Sequence, residues 1–153
     1  MNAILKKLGL TNQNPVLILN APDEYKEIMK DIDGEIHKEF NGKYKFIQMF
    51  SISFEEANSY AKAAIEALDG DGHLWLCYPK GTSKKYKSNI NRKKSWDIFS
   101  PYDFEPVSQA SIDDNWSAIR FRHVDNIKKL KRKTAATKKG KERIKNDDKD
   151  LCD

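Results

Sequence analysis

Cysteine is scarce in this chain, and so are the residue spacings that announce common chemistries. There are 2 cysteines in 153 residues, too few for the disulfide framework of a small secreted domain. Cys77 lies inside the apolar run LWLCY and Cys152 is next to last, so the first reads as a small buried hydrophobe. The 3 histidines, His37, His73 and His123, are far apart, with no HxH or HxxxH spacing, and no CxxC occurs. Zinc-type ligand sets need such spacings, so no metal site is expected. Ser83 and Ser95 have no G-x-S-x-G elbow and no neighbouring histidine. The pair Asp113-Asp114 is explained by a turn. No nucleophile–base pair follows from these residues, and catalytic residues are not expected. No apolar run approaches the ~20 residues that span a bilayer. Residues 1–12 carry two lysines and no apolar core of secretory-signal length. A cytoplasmic protein without membrane contact is therefore expected.

Charge is present but unevenly placed. The net charge is +5. Residues 128–153 hold 11 Lys/Arg against 5 Asp/Glu, whereas 1–127 hold 17 against 18. Within that near-neutral body, residues 80–94 contain seven basic residues and no acidic one. The chain is thus a near-neutral domain with one basic loop and one basic tail.

Hydrophobic periodicity predicts the elements of that domain. Ile4, Leu5 and Leu8 suggest a short helix ended near Gly9. PVLILN (15–20) is a continuous apolar run, the usual form of a strand buried on both faces. Asp23 and Glu24 start a helix whose apolar face is Tyr25, Ile28, Met29 and Ile32, stopped at Gly34. Residues 35–40 alternate as an edge strand. KYKFIQMFSI (43–52) is the next strand, followed by a capping box at Ser53 and Glu56 and a helix with Phe54, Ala57, Ala61, Ala64, Ile65 and Leu68 on one face. Residues 69–72 (DGDG) end that helix and HLWLCY (73–78) is another buried strand. A helix over 91–99 follows. Two runs, 105–112 and 116–122, form a hairpin at Asp113-Asp114-Asn115, with Ile119 and Phe121 inward and Arg120 and Arg122 outward. Strand–helix–strand alternation implies right-handed crossovers and a mainly parallel sheet. One domain over 1–127 is expected, and 128–153 is expected to be disordered or partly helical.

The segments LNAPDEY (19–25), GHLWLCYPK (72–80), the basic loop and IDDNWSAIRF (112–121) together resemble a family of small bacterial α/β proteins of no known activity. The resemblance spans about 15–123. The architecture also resembles a shortened Rossmann-like methyltransferase fold. That likeness implies an α/β fold of three layers, with a mostly parallel Rossmann-like sheet ending in an antiparallel strand pair. The cofactor is left open by this likeness; the alternative to a non-catalytic binder is a degenerate methyltransferase-like enzyme holding S-adenosylmethionine near Asn20, Phe50 and Pro79, with Glu39 placed to hold a ribose. Such sites favour a glycine-rich turn after the first strand. Here that turn is Asn20-Ala21-Pro22.

The expected contact surface is the loop 80–94. Loops at the carboxyl ends of parallel strands are where ligands bind, and a helix beginning near Asn91 would aim its first N–H groups the same way. Asn20, Lys80, Lys84, Lys85, Lys87 and Arg92 are the expected ligand-binding residues. A small anion or a polyanion is the expected partner, with a solvated loop as the alternative. In the tail, Lys131, Arg132, Lys133, Lys138 and Lys139 suit a sequence-independent nucleic-acid arm, or a merely solubilising charge run.

Overall fold

The computed structural model describes residues 2–127. The chain order is α1 (Ala3–Lys7), β1 (Val16–Leu19), a 3-10 turn at Asp23–Tyr25 running into α2 (Lys26–Met29), β2 (Ile36–His37), β3 (Tyr44–Phe50), α3 (Phe54–Ala67), β4 (Leu68–Pro79), α4 (Arg92–Phe99), β5 (Phe104–Ser111) and β6 (Trp116–His123). The strands form one sheet in the order β2-β1-β3-β4-β6-β5. The first four are parallel, and β6 runs antiparallel to both β4 and β5. This is the mostly parallel α/β sheet with a terminal antiparallel pair that the sequence pattern implies.

Continuous apolar runs give both faces of the sheet a core. On β1, Leu17 and Leu19 join one buried cluster and Val16 and Ile18 the other. Leu74, Leu76, Ile119 and Phe121 extend the first cluster beneath α3 and α4. Phe46, Trp75, Cys77 and Trp116 extend the second, which includes Leu5 and Leu8 from the first helical segment. Each such side chain contributes about 1.5–3 kcal/mol by leaving water. Helices on both faces make three layers. Cys77 is fully buried, and burial pushes its thiol up to about 12, so it acts as packing.

Local differences from the sequence pattern have identifiable causes. The second helix is short: Pro22 has extended backbone and precedes a 3-10 turn, and α2 ends at Met29. The edge strand shrinks to Ile36–His37, because the Asn14 side chain holds the Glu35 N–H before it and Tyr44 Oη gathers the Asn41 N–H and the His37 ring after it. The capping box at Ser53 is displaced by one residue on its return arm. Ser53 Oγ accepts from Glu56 N, and Glu56 Oε1 accepts from the Ile52 N–H.

Residues 69–72 do not form a separate loop. Leu68 leaves α3 already extended and pairs with Tyr44, and the next pair is Phe46 with His73, so the intervening residues form an irregularity in β4. Glycine is required there. A Cβ on Gly72 would lie 2.8 Å from the Lys45 Cα. Among the described residues no helix is long and apolar enough to cross a membrane.

Candidate ligand-binding edge

From β1 the chain moves outward to β2 on one side, while β3 lies on the other. That reversal opens a crevice at the carboxyl ends of β1 and β3, the place where open α/β sheets bind ligands. Asn20 stands at its lip in the left-handed region (φ 56°), which asparagine tolerates better than most residues. Its Nδ2 donates across the crevice to Phe50 O at 3.4 Å. The next residue along β3, Ser51, donates its backbone N–H to Cys77 O at 2.9 Å, and its buried Oγ has no hydrogen-bond partner.

Glu24, in the first turn after β1, ties this edge together. Its Oε1 accepts from Tyr86 Oη at 2.7 Å and Trp116 Nε1 at 3.1 Å, and its Oε2 pairs with Lys85 Nζ at 3.3 Å. Trp116 is 3% exposed and packs edge-on against Phe50, with ring centroids 5.2 Å apart, and against Tyr86 at 5.0 Å. Burial alone would raise the Glu24 pKa. Hydrogen bonds from Tyr86, its own backbone, Trp116 and Lys85 outweigh that and hold the carboxyl at about 2. The same bond to Glu24 raises Lys85, while burial, followed by the hydrogen bond to Glu24 and then its charge, raises Tyr86.

Two more anchors fix the loop 80–91. Near the hairpin, Lys80 N donates to Asn115 O at 2.8 Å, Ser83 Oγ donates to Asn115 Oδ1 at 2.8 Å, and Lys80 Nζ donates to Ser111 Oγ at 2.6 Å. Asp113 Oδ1 accepts from the N–H groups of Asn115 and Trp116, both at 2.8 Å, which is the turn chemistry of the hairpin. Near α3, Ser88 Oγ donates to Ile52 O, and Asn89 Oδ1 accepts from Phe54 N at 2.8 Å. The loop is a strap running from the hairpin past the turn after β1 to the start of α3.

The expected binding residues therefore divide. Lys85 is paired with Glu24, Lys80 is bonded to Ser111, and Asn20 is bonded to Phe50. Lys84, Lys87 and Arg92 are exposed, and among the described residues none has an ion-pair partner. Thr82, Lys84, Lys85, Asp114 and Asn115 line an open depression of about 620 Å³. Arg92 begins α4, where Asn91 Oδ1 caps Lys94 N at 2.7 Å. Glu39 is exposed beyond β2, and its carbonyl accepts from Tyr44 Oη at 3.4 Å. Among the described residues no three His, Cys, Asp or Glu side chains gather as a metal site. Lys131, Arg132, Lys133, Lys138 and Lys139 lie outside the described residues, as does the rest of 128–153.

Ser51 carries no signal in the sequence that marks it, and nothing in the sequence marks the pairing of Glu24 with Tyr86 and Trp116. Glu24 meets partners 62 and 92 residues away, which no local spacing reveals.

Because the folded Glu24 pKa lies below its ordinary 4.5, its contribution to stability is fully present above about pH 5. It is lost as pH falls toward about 2, where the folded carboxylate protonates. Glu24→Gln is expected to cost about 2 kcal/mol at pH 7 by weakening charge-assisted hydrogen bonds. Its penalty should shrink in urea denaturation at pH 3. An equal penalty at both pH values would mean that the carboxylate charge does not hold the strap.

The sheet has a Rossmann-like α/β topology. No protein-family model and no curated protein sequence matches the chain. The fold is similar to that of a methyltransferase from Pyrococcus furiosus, with a TM-score of 0.50 and 10% identity over 78% of this chain and 79% of that one. The N-methyltransferase NodS from Bradyrhizobium japonicum matches with a TM-score of 0.44 and 9% identity, covering 70% and 72% of the two chains. A protein in the NADB-Rossmann superfamily from Streptococcus agalactiae matches with a TM-score of 0.47 and 10% identity, covering 80% and 68%. At such identities the likeness concerns the fold alone. The resemblance to a bacterial family gains no family assignment from these matches.

Proposed function

We propose that this chain is a non-catalytic binding protein that uses a methyltransferase-like sheet as a scaffold and takes an anionic ligand on the loop 80–94. One observation carries the reading. The strap is held by neutral and acidic partners at three places, yet Lys84, Lys87 and Arg92 remain exposed and unpaired among the described residues. Cations fixed on a pinned backbone lose less entropy on binding than cations on a free loop. Phosphate or carboxylate groups suit such a surface.

The fold's implied cofactor suits the residues poorly. In the turn after β1, Pro22 offers no N–H and the Asn20 amide is already committed to Phe50. Ser51 Oγ, buried without a partner beside that turn, is a feature favouring a bound polar group. Other features count against a nucleotide, so we derive no transfer step. Calorimetry with S-adenosylmethionine tests this reading: no heat is expected up to millimolar ligand. Micromolar affinity would replace the proposal with an enzyme.

A further inference from the structure

Arg120 and Arg122 alternate along β6 and share one face of the sheet, but their surroundings differ. Arg122 is engaged: Nε donates to Asp71 Oδ1 at 3.0 Å, one Nη pairs with Asp71 Oδ2, and that Nη also donates to Asn126 O at 2.8 Å. Arg120 is only partly exposed, and its Nε is buried without a hydrogen-bond partner. Among the described residues it has no ion-pair partner either. An orphaned buried donor of a charged group costs more than a neutral one.

The register shows what surrounds it. Arg120 pairs with Trp75 on β4 and with Ser108 on the edge strand β5, so the three side chains share a face. His73, two residues before Trp75, is on that face as well. Its ring abuts Gly9, where a Cβ would come within 2.4 Å of Nε2. The Trp75 indole is occupied by Leu8 O at 2.8 Å. Ser108 is exposed and makes no hydrogen bond through its side chain among the described contacts. Burial and the Arg122 charge lower the Arg120 pKa; burial and Arg120 lower that of His73, with Asp71 opposing both. Asp71 is engaged by Arg122, and Glu105, buried across the strand pair from Arg122, is a second acidic side chain on this face.

We propose that Arg120 is the centre of a second anion site, in which one carboxylate or phosphate group is held by the Arg120 guanidinium and the Ser108 hydroxyl, with His73 at its border. Four residues along β6 separate it from Trp116, about 13 Å at strand rise, so it is distinct from the strap. A guanidinium offers paired N–H donors to such an oxyanion, here from its two Nη groups, because Nε is covered by the surrounding strands.

The test is a titration of the ¹⁵N-labelled full chain with inorganic phosphate, and separately acetate, following arginine Nε–Hε signals. The Arg120 signal is expected to shift saturably and the His73 ring to move with it, while Arg122 changes little. Arg120→Lys should weaken the saturable shift of His73 roughly tenfold, because one ammonium replaces a bidentate fork. Ser108→Ala, at an exposed edge and without risk to the core, should weaken it severalfold. Replacing Lys84 and Lys87 by alanine should leave it unchanged. An Arg120 signal that stays still at tens of millimolar phosphate overturns the proposal. So does a shift that never saturates and is shared by all arginines, which is ionic screening only.

Discussion

Trp116→Ala is expected to destabilise the protein by about 3–5 kcal/mol, the range for deleting a large buried aromatic side chain. Trp116 is 3% exposed and joins three parts of the chain: Phe50 at the end of β3, Tyr86 in the strap and Glu24 after β1. Its removal opens a cavity and leaves Glu24 without one of its donors. Trp116→Phe keeps an aromatic ring and loses the Nε1–H donor, so a smaller cost of about 1–2 kcal/mol is expected. Urea denaturation of both variants measures the difference. Equal, small penalties would mean that Trp116 only covers the hairpin and that the strap is held elsewhere.

Replacing Lys84, Lys87 and Arg92 together by alanine should weaken anion binding roughly 30-fold. That corresponds to about 0.7 kcal/mol for each exposed charge contact. Stability should stay within about 0.5 kcal/mol of the parent, because all three are exposed and unpaired among the described residues. The same substitutions should flatten the dependence of affinity on salt. Lys85→Ala is expected to behave in the opposite way, losing stability through Glu24 while affecting binding less. Binding measured by calorimetry at two salt concentrations, beside denaturation curves, separates the two roles. Unchanged affinity in the triple variant would remove the loop from consideration.

Much of the architecture was legible because the physics is local. VLIL on β1 and LWLCY on β4 alternate between the two core clusters, and only a strand covered on both faces tolerates that composition. Ser53 and Asp113 act through partners within four residues, so the cap and the turn could be read directly. Less legible was whatever depends on distant register. The irregularity at 69–72 arises because Leu68 finds Tyr44 before His73 finds Phe46. Arg120 was expected to face solvent by alternation, which places it correctly opposite Ile119 and Phe121. Yet Trp75 and β5 flank it, so its Nε is buried.

At the candidate site, charge density singled out the loop 80–94 but could not divide its cations. Lys85 and Lys87 look alike in sequence, and only the fold brings Glu24 to one of them. The same holds for Asn20, whose side chain bridges to a carbonyl 30 residues away.

Calorimetry of inorganic tripolyphosphate binding to the chain ended at Ile127, set beside the full chain, tests the central claim most directly. Affinity retained within about threefold, half a unit on the logarithmic scale, is expected if the pinned loop holds the anion. Loss of binding on truncation would contradict it and assign the anion to residues 128–153.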